Sequence, residues 1–154
     1  MTTEQLEATT TTPAVAYLLT WTTAGTWFSG EQQGANAPFA AKRTPGARRD
    51  VAAVSLSVPQ RDLVEATIRD CCQQQGWNLI ATNCRSNHAH AIINAAADPQ
   101  EILSTLQSQT AEQLTAGEPS RDSWWEEKGN IRTMNDNDGV QAAAFYVGVI
   151  LRRI

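Results

Sequence analysis

The stretch Trp77-Asn-Leu-Ile-Ala-Thr-Asn-Cys-Arg-Ser-Asn-His-Ala-His-Ala-Ile-Ile-Asn94 decides the fold. Its first half, Trp77 to Cys84, alternates apolar Trp77, Leu79 and Ala81 with other residues, the period of a half-buried strand. Arg85-Ser86-Asn87 is short and polar, the composition of a turn. His88 to Asn94 reads as the returning strand. Residues two apart in a strand share a face, so His88 and His90 project side by side, ~7 Å apart along the backbone. Ala89 and Ala91 point the other way, which suits helix packing. These are the only two histidines of the chain. Two imidazoles so placed can converge on one divalent cation. They can equally be two partly exposed polar residues on an open sheet face, and the pair alone leaves both readings standing.

Helical patterns flank this hairpin. Pro59 opens one that runs to about Gln75, with Leu63, Val64, Ala66, Thr67, Ile68 and Cys71 on its apolar face and Gly76 as its stop. Asp98-Pro99 starts another, ridged by Ile102, Leu103, Leu106 and Leu114. Upstream, Ala14 to Trp21 is β-like and continues past a bend at Gly25, and Val51 to Val58 is a further strand candidate. Downstream, Trp124-Trp125 and Ile131 to Met134 read as two short β pieces. Asn135-Asp-Asn-Asp138 then signals a last helix from about Gly139 to Arg152. Without the N-terminal extension and the last helix, the order is βαββαβ. That is an α+β, ferredoxin-like (split βαβ) antiparallel sheet with helices on one face, plus an extra C-terminal helix. The opposite sheet face is expected to be open and free for a site.

At 154 residues the chain fits one domain. The Thr-rich segment 1–12 reads as a disordered tail and 13–154 as the domain. A net charge of −4 excludes a strongly basic, histone-like nucleic-acid binder. A local basic groove stays open, because binding follows the local field. The cations are mostly Arg, the better bidentate partner for phosphate. Lys42, Arg43, Arg48 and Arg49 share one Gly/Pro-containing loop, 30–50, Arg85 precedes the histidines, and Arg132 lies in the late β piece. These six are the candidate phosphate contacts. Trp21, Trp27, Trp124 and Trp125 could stack on unpaired bases, with core burial the favoured reading for each. Cys71, Cys72 and Cys84 have no CxxC spacing and read as reduced thiols. No apolar run approaches the ~20 residues of a membrane span, and the N-terminus lacks a signal-peptide pattern. A cytoplasmic location and no membrane partner are therefore the default expectation.

A wider pattern joins these pieces. Asn87-His88-Ala89-His90 is an Asn-His-x-His motif. It is preceded by Tyr17-Leu-Leu-Thr-Trp-Thr-Thr-Ala-Gly-Thr-Trp27 and Arg61, and followed by Trp125, Gly129 and Arg132, then by Ala144-Phe-Tyr-Val147 in the last helix. Over about residues 14–150 this ordered set resembles the single-tyrosine HUH transposases of the IS200 type, especially the REP-associated tyrosine transposases. The resemblance implies a metal-dependent endonuclease and strand transferase acting on single-stranded or hairpin-tipped DNA. In that family the histidines hold Mg²⁺ or Mn²⁺. A helix-borne tyrosine attacks the scissile phosphate, giving a 5′-phosphotyrosine and a 3′-hydroxyl. Carried over, His88 and His90 are the metal ligands and Tyr146 the nucleophile, with a homodimer left open. Chemistry agrees in one respect: a phenol titrates near pKa ~10 and needs a nearby metal or base to attack at neutral pH.

The chain departs from the family at one place. The polar ligand usually found about one turn after the tyrosine has no counterpart in Val147-Gly-Val-Ile-Leu151. Gln141, five residues earlier, points elsewhere on the helix. The alternative reading is therefore a catalytically impaired, repurposed ferredoxin-like nucleic-acid-binding domain.

Overall fold

Ser57 starts the first long helix by a reciprocal cap. Its hydroxyl accepts from the Gln60 amide at 3.3 Å, and its own amide donates to Gln60 Oε1 at 2.8 Å. Gly76 ends the helix in the left-handed region at φ 77°, which glycine adopts without a Cβ penalty. The computed structural model describes residues 16–28, 41–43, 53–121 and 123–150. In chain order these form β1 (Ala16–Thr22), β2 (Thr26–Phe28), β3 (Ala41–Arg43), α1 (Val58–Gln75), β4 (Asn78–Cys84) and β5 (His88–Asn94). Then come α2 (Pro99–Gly117), β6 (Asn130–Met134), α3 (Asn137–Phe145) and one π-helical turn, Tyr146–Ile150.

Four strands make one sheet in the order β4-β5-β1-β6, every neighbour antiparallel. With α1 and α2 as crossovers this is the split βαβ fold class expected, but its first strand is β1, from the N-terminal stretch set aside in the element order, not the strand candidate at 51–58. The pair β2–β3 forms a separate ribbon inserted between β1 and α1. One sheet face carries Leu19, Trp21, Ala89, Ala91 and Ile93 and packs on Val64, Ile68, Ile102, Leu103 and Leu106 of the two long helices. The alanines of β5 face these helices, as the alternation predicts. β4 is an edge strand, and its Cys84 amide donates to the buried Glu65 carboxylate of α1 at 2.8 Å. The helix thereby satisfies a backbone group that the edge would leave exposed. Cys71, Cys72 and Cys84 are free, buried thiols, and burial pushes Cys72 up to about 12.

The second face departs from expectation. Val140 and Val147 are buried against Ala16, Ile92 and Met134, so α3 and the π turn close part of the face expected to be open. The α-helical ladder stops at Phe145 and widens into the π turn, with Gly148, a poor helix former, inside it. Two further expectations are corrected. Residues 53–57 are no strand: the Val54 amide donates to Ala24 O at 2.9 Å and the Leu56 amide to Ser86 O at 2.7 Å, both in turns. Val54 and Leu56 are buried while Ser55 and Ser57 are exposed, so the period of two exists without a ladder. Among the described residues, Trp124-Trp125 contributes a single isolated bridge, Thr23 to Trp125, and no strand. The tail read at 1–12 lies outside the described residues.

Gly129 sits where the chain enters β6 beside α2. A Cβ there would lie 2.8 Å from Leu103 Cδ2 and 3.0 Å from the Thr20 carbonyl oxygen. Gly129→Ala is expected to lower unfolding free energy by about 1–3 kcal/mol, the usual cost of overpacking, measured by chemical denaturation.

Candidate active site

The two sheet faces differ in chemistry because the alternation of each strand changes along its length. Antiparallel register sets Asn83 of β4 opposite His90, His90 opposite Thr20, and Thr20 opposite Asn130. Directly opposed residues share a face, so these four form a polar row across all four strands. His88 and Thr22 make the next pair toward the sheet end. In the other direction the row is Ala81, Ile92, Leu18 and Arg132. This face is therefore polar at one end and mainly apolar at the other. α3 and the π turn cover the apolar part, through Val140 and Val147.

The β4–β5 connection is tight: the Arg85 amide donates to His88 O at 2.7 Å across Ser86-Asn87. The histidine rings meet edge to face, with centroids 4.9 Å apart and planes at 78°. His88 Nδ1 lies 2.7 Å from Asn87 Oδ1, an oxygen that only accepts, so the proton sits on Nδ1. His90 Nδ1 shares a 3.0 Å hydrogen bond with Thr20 Oγ1. Each ring is thus oriented through Nδ1, which leaves the two buried Nε2 atoms as the nitrogens outside those bonds. Burial pushes His88 down to about 4, with the Arg85 guanidinium adding to the effect. His90 falls to about 3 through burial, then the neighbouring His88 and Arg85. Both imidazoles are neutral at pH 7, the form that ligates metals.

Arg85 is half-buried beside the pair. Arg132 is exposed and shares the face. Tyr146 opens the π turn and is 51% exposed, next to buried Val147. The π turn lies against β4, so the helix that bears the tyrosine is on the histidine face. Lys42 and Arg43 are in β3, paired with Trp27 and Thr26. Arg48 and Arg49 lie outside the described residues. Among the described residues no three His, Cys, Asp or Glu side chains are grouped so that they could hold a metal ion.

Of the tryptophans, Trp21 is fully buried and Trp124 is 3% exposed, so neither offers a ring to a base. Trp125 is half-buried, edge-on to Trp21 at 5.9 Å, with Nε1 donating to Thr110 Oγ1 at 2.9 Å. Thr20 was not legible as a site residue, because its role depends on a register between strands 70 residues apart. Asn87 was visible in the motif, but its hydrogen bond to His88 was not.

The fold has counterparts among solved structures. A REP-associated tyrosine transposase bound to a REP hairpin superposes with a TM-score of 0.55, over 89% of this chain and 67% of that one, at 10% identity. The chain has the fold of this transposase. A candidate transposase from Deinococcus radiodurans R1 matches with a TM-score of 0.53, over 86% of this chain and 88% of that one, at 15% identity. At such identities the transposase likeness is one of fold. No protein-family model matches the chain, and no curated protein does. Among the described residues, no helix is long and apolar enough to cross a membrane.

Proposed function

We propose that this chain is a metal-dependent, single-tyrosine DNA nickase and strand transferase acting on single-stranded or hairpin-tipped DNA. The observation that carries the reading is the neutral imidazole pair, each ring held through Nδ1, on the sheet face crossed by the helix bearing Tyr146. The shared fold with a transposase bound to a DNA hairpin supports it.

The donor set fits a divalent ion. Metal-bound histidines characteristically use the second ring nitrogen for an orienting hydrogen bond, as both do here. Mn²⁺ suits two nitrogen ligands better than Mg²⁺, which demands oxygen and retained waters. When bound, such an ion would polarise a scissile phosphate and favour the phenolate. Tyr146 would then supply the attacking oxygen. Its O–P bond forms as the bond from phosphorus to the 3′-oxygen breaks. The phenolic proton passes to solvent at the half-exposed side chain, and the departing 3′-oxygen takes a proton from water. Arg85 would meet a phosphate oxygen beside the pair, with Arg132 and the β2–β3 ribbon as further contacts to the strand.

A nicking assay tests this. End-labelled single-stranded and hairpin oligonucleotides with Mn²⁺ are expected to give a cleaved product and a covalent protein–DNA band, both lost with EDTA. Binding without cleavage under any divalent metal would favour the non-catalytic nucleic-acid-binding domain instead. Thr20→Val, which removes the partner of His90 Nδ1, is expected to weaken Mn²⁺ binding by about 10–100-fold, read by calorimetry.

A further inference from the structure

Asn83 takes no part in the hydrogen bonds that orient the histidines, yet it stands beside them. It is 2% exposed, and its Oδ1 is fully buried with no hydrogen-bond partner among the described residues. A buried acceptor left unmatched is costly and calls for an explanation in a native structure. The tight turn at Ser86-Asn87 fixes the β4–β5 register, so Asn83 is directly opposite His90 and shares its face. Cβ atoms of such a pair are about 4.5–5.5 Å apart, within reach of a common ion. An amide oxygen is a hard donor of the kind Mg²⁺ and Mn²⁺ take. It is also what two imidazoles alone lack, and the stretch after Tyr146 offers no substitute.

We propose that Asn83 Oδ1 is the third protein ligand, an oxygen donor, of a divalent cation held by His88 and His90; this rests on reading the pair as a metal site. All three donors are neutral, so the ion keeps both positive charges for an anionic ligand, which the phosphate of the substrate strand supplies. Metal and oligonucleotide then bind cooperatively, each raising the affinity of the other by the same factor.

The test is a Mn²⁺ titration of the full chain, following the free-ion paramagnetic resonance signal, without and with a single-stranded oligonucleotide. Asn83→Leu, of similar volume, is expected to weaken Mn²⁺ binding about 10-fold or more and to raise the thermal midpoint of the metal-free protein, since it removes the unmatched oxygen. Asn83→Asp, which keeps the oxygen and adds charge, is expected to bind Mn²⁺ more tightly than wild type in the absence of DNA. His90→Ala is expected to abolish binding. Wild-type affinity in both Asn83 variants, with binding lost in His90→Ala, would overturn the assignment of Asn83 and leave the histidine site intact. Unchanged binding in His90→Ala would overturn both. Should Asn83→Leu fail to fold by circular dichroism, the isosteric Asn83→Asp decides alone.

Discussion

His90→Ala is expected to remove divalent-metal binding and DNA cleavage together while the protein stays folded. The ring is 6% exposed, oriented by Thr20 and within 4.9 Å of its partner ring. Deleting it takes away one of two imidazole donors, so metal affinity is expected to fall by more than about 100-fold, beyond what loss of an outer partner costs. The same truncation empties a small buried volume and leaves the Thr20 hydroxyl without its ring partner, at a cost of about 1–3 kcal/mol in unfolding free energy. His88→Ala should lose metal to a similar degree with a smaller stability change, because His88 is only half-buried. Calorimetric Mn²⁺ titration and urea denaturation, run on both variants, separate the two effects. A metal affinity that survives both substitutions would show that the pair is only a polar patch of the sheet.

Tyr146→Phe is expected to eliminate the covalent protein–DNA product altogether and to leave the rest of the molecule as it is. The side chain is 51% exposed, and its neighbour Val147, not the tyrosine, anchors the π turn on the sheet. Loss of one exposed hydroxyl should therefore shift stability by no more than about 0.5 kcal/mol. Mn²⁺ affinity and oligonucleotide affinity should match wild type, since neither is assigned to the phenol. Cleavage that persists without an adduct would point to water as the nucleophile. An adduct that persists would mean another side chain attacks.

Much of this architecture was legible because it follows from local periodicity. The alternation through Trp77–Asn94, with a short polar turn, specifies a hairpin, and two proline-started helices around it impose the split βαβ order. The shared face of His88 and His90 follows from the period of two alone. What escaped depended on long-range register or on burial without pairing. Thr20 meets His90 only because β1 lies antiparallel to β5. Residues 53–57 mimic a strand in their burial, but their amides bond to turns. Closure of part of the second face by α3 and the π turn follows from Val140 and Val147 meeting Ile92, which no window of local sequence contains. Trp21 and Trp124 resolved as core because each lies inward of the long helices, a fact of packing rather than of residue type.

Tyr146, carried by the helix on the histidine face, is expected to form a covalent bond with a DNA strand. Peptide mass spectrometry of the adduct formed by the wild-type chain with Mn²⁺ and a single-stranded oligonucleotide tests it most directly. The expected result is a nucleotide mass, joined through a 5′-phosphate, on the peptide that contains Tyr146. A nucleotide found on Tyr17 or any other residue, or no modified peptide under conditions where the DNA is bound, would contradict it.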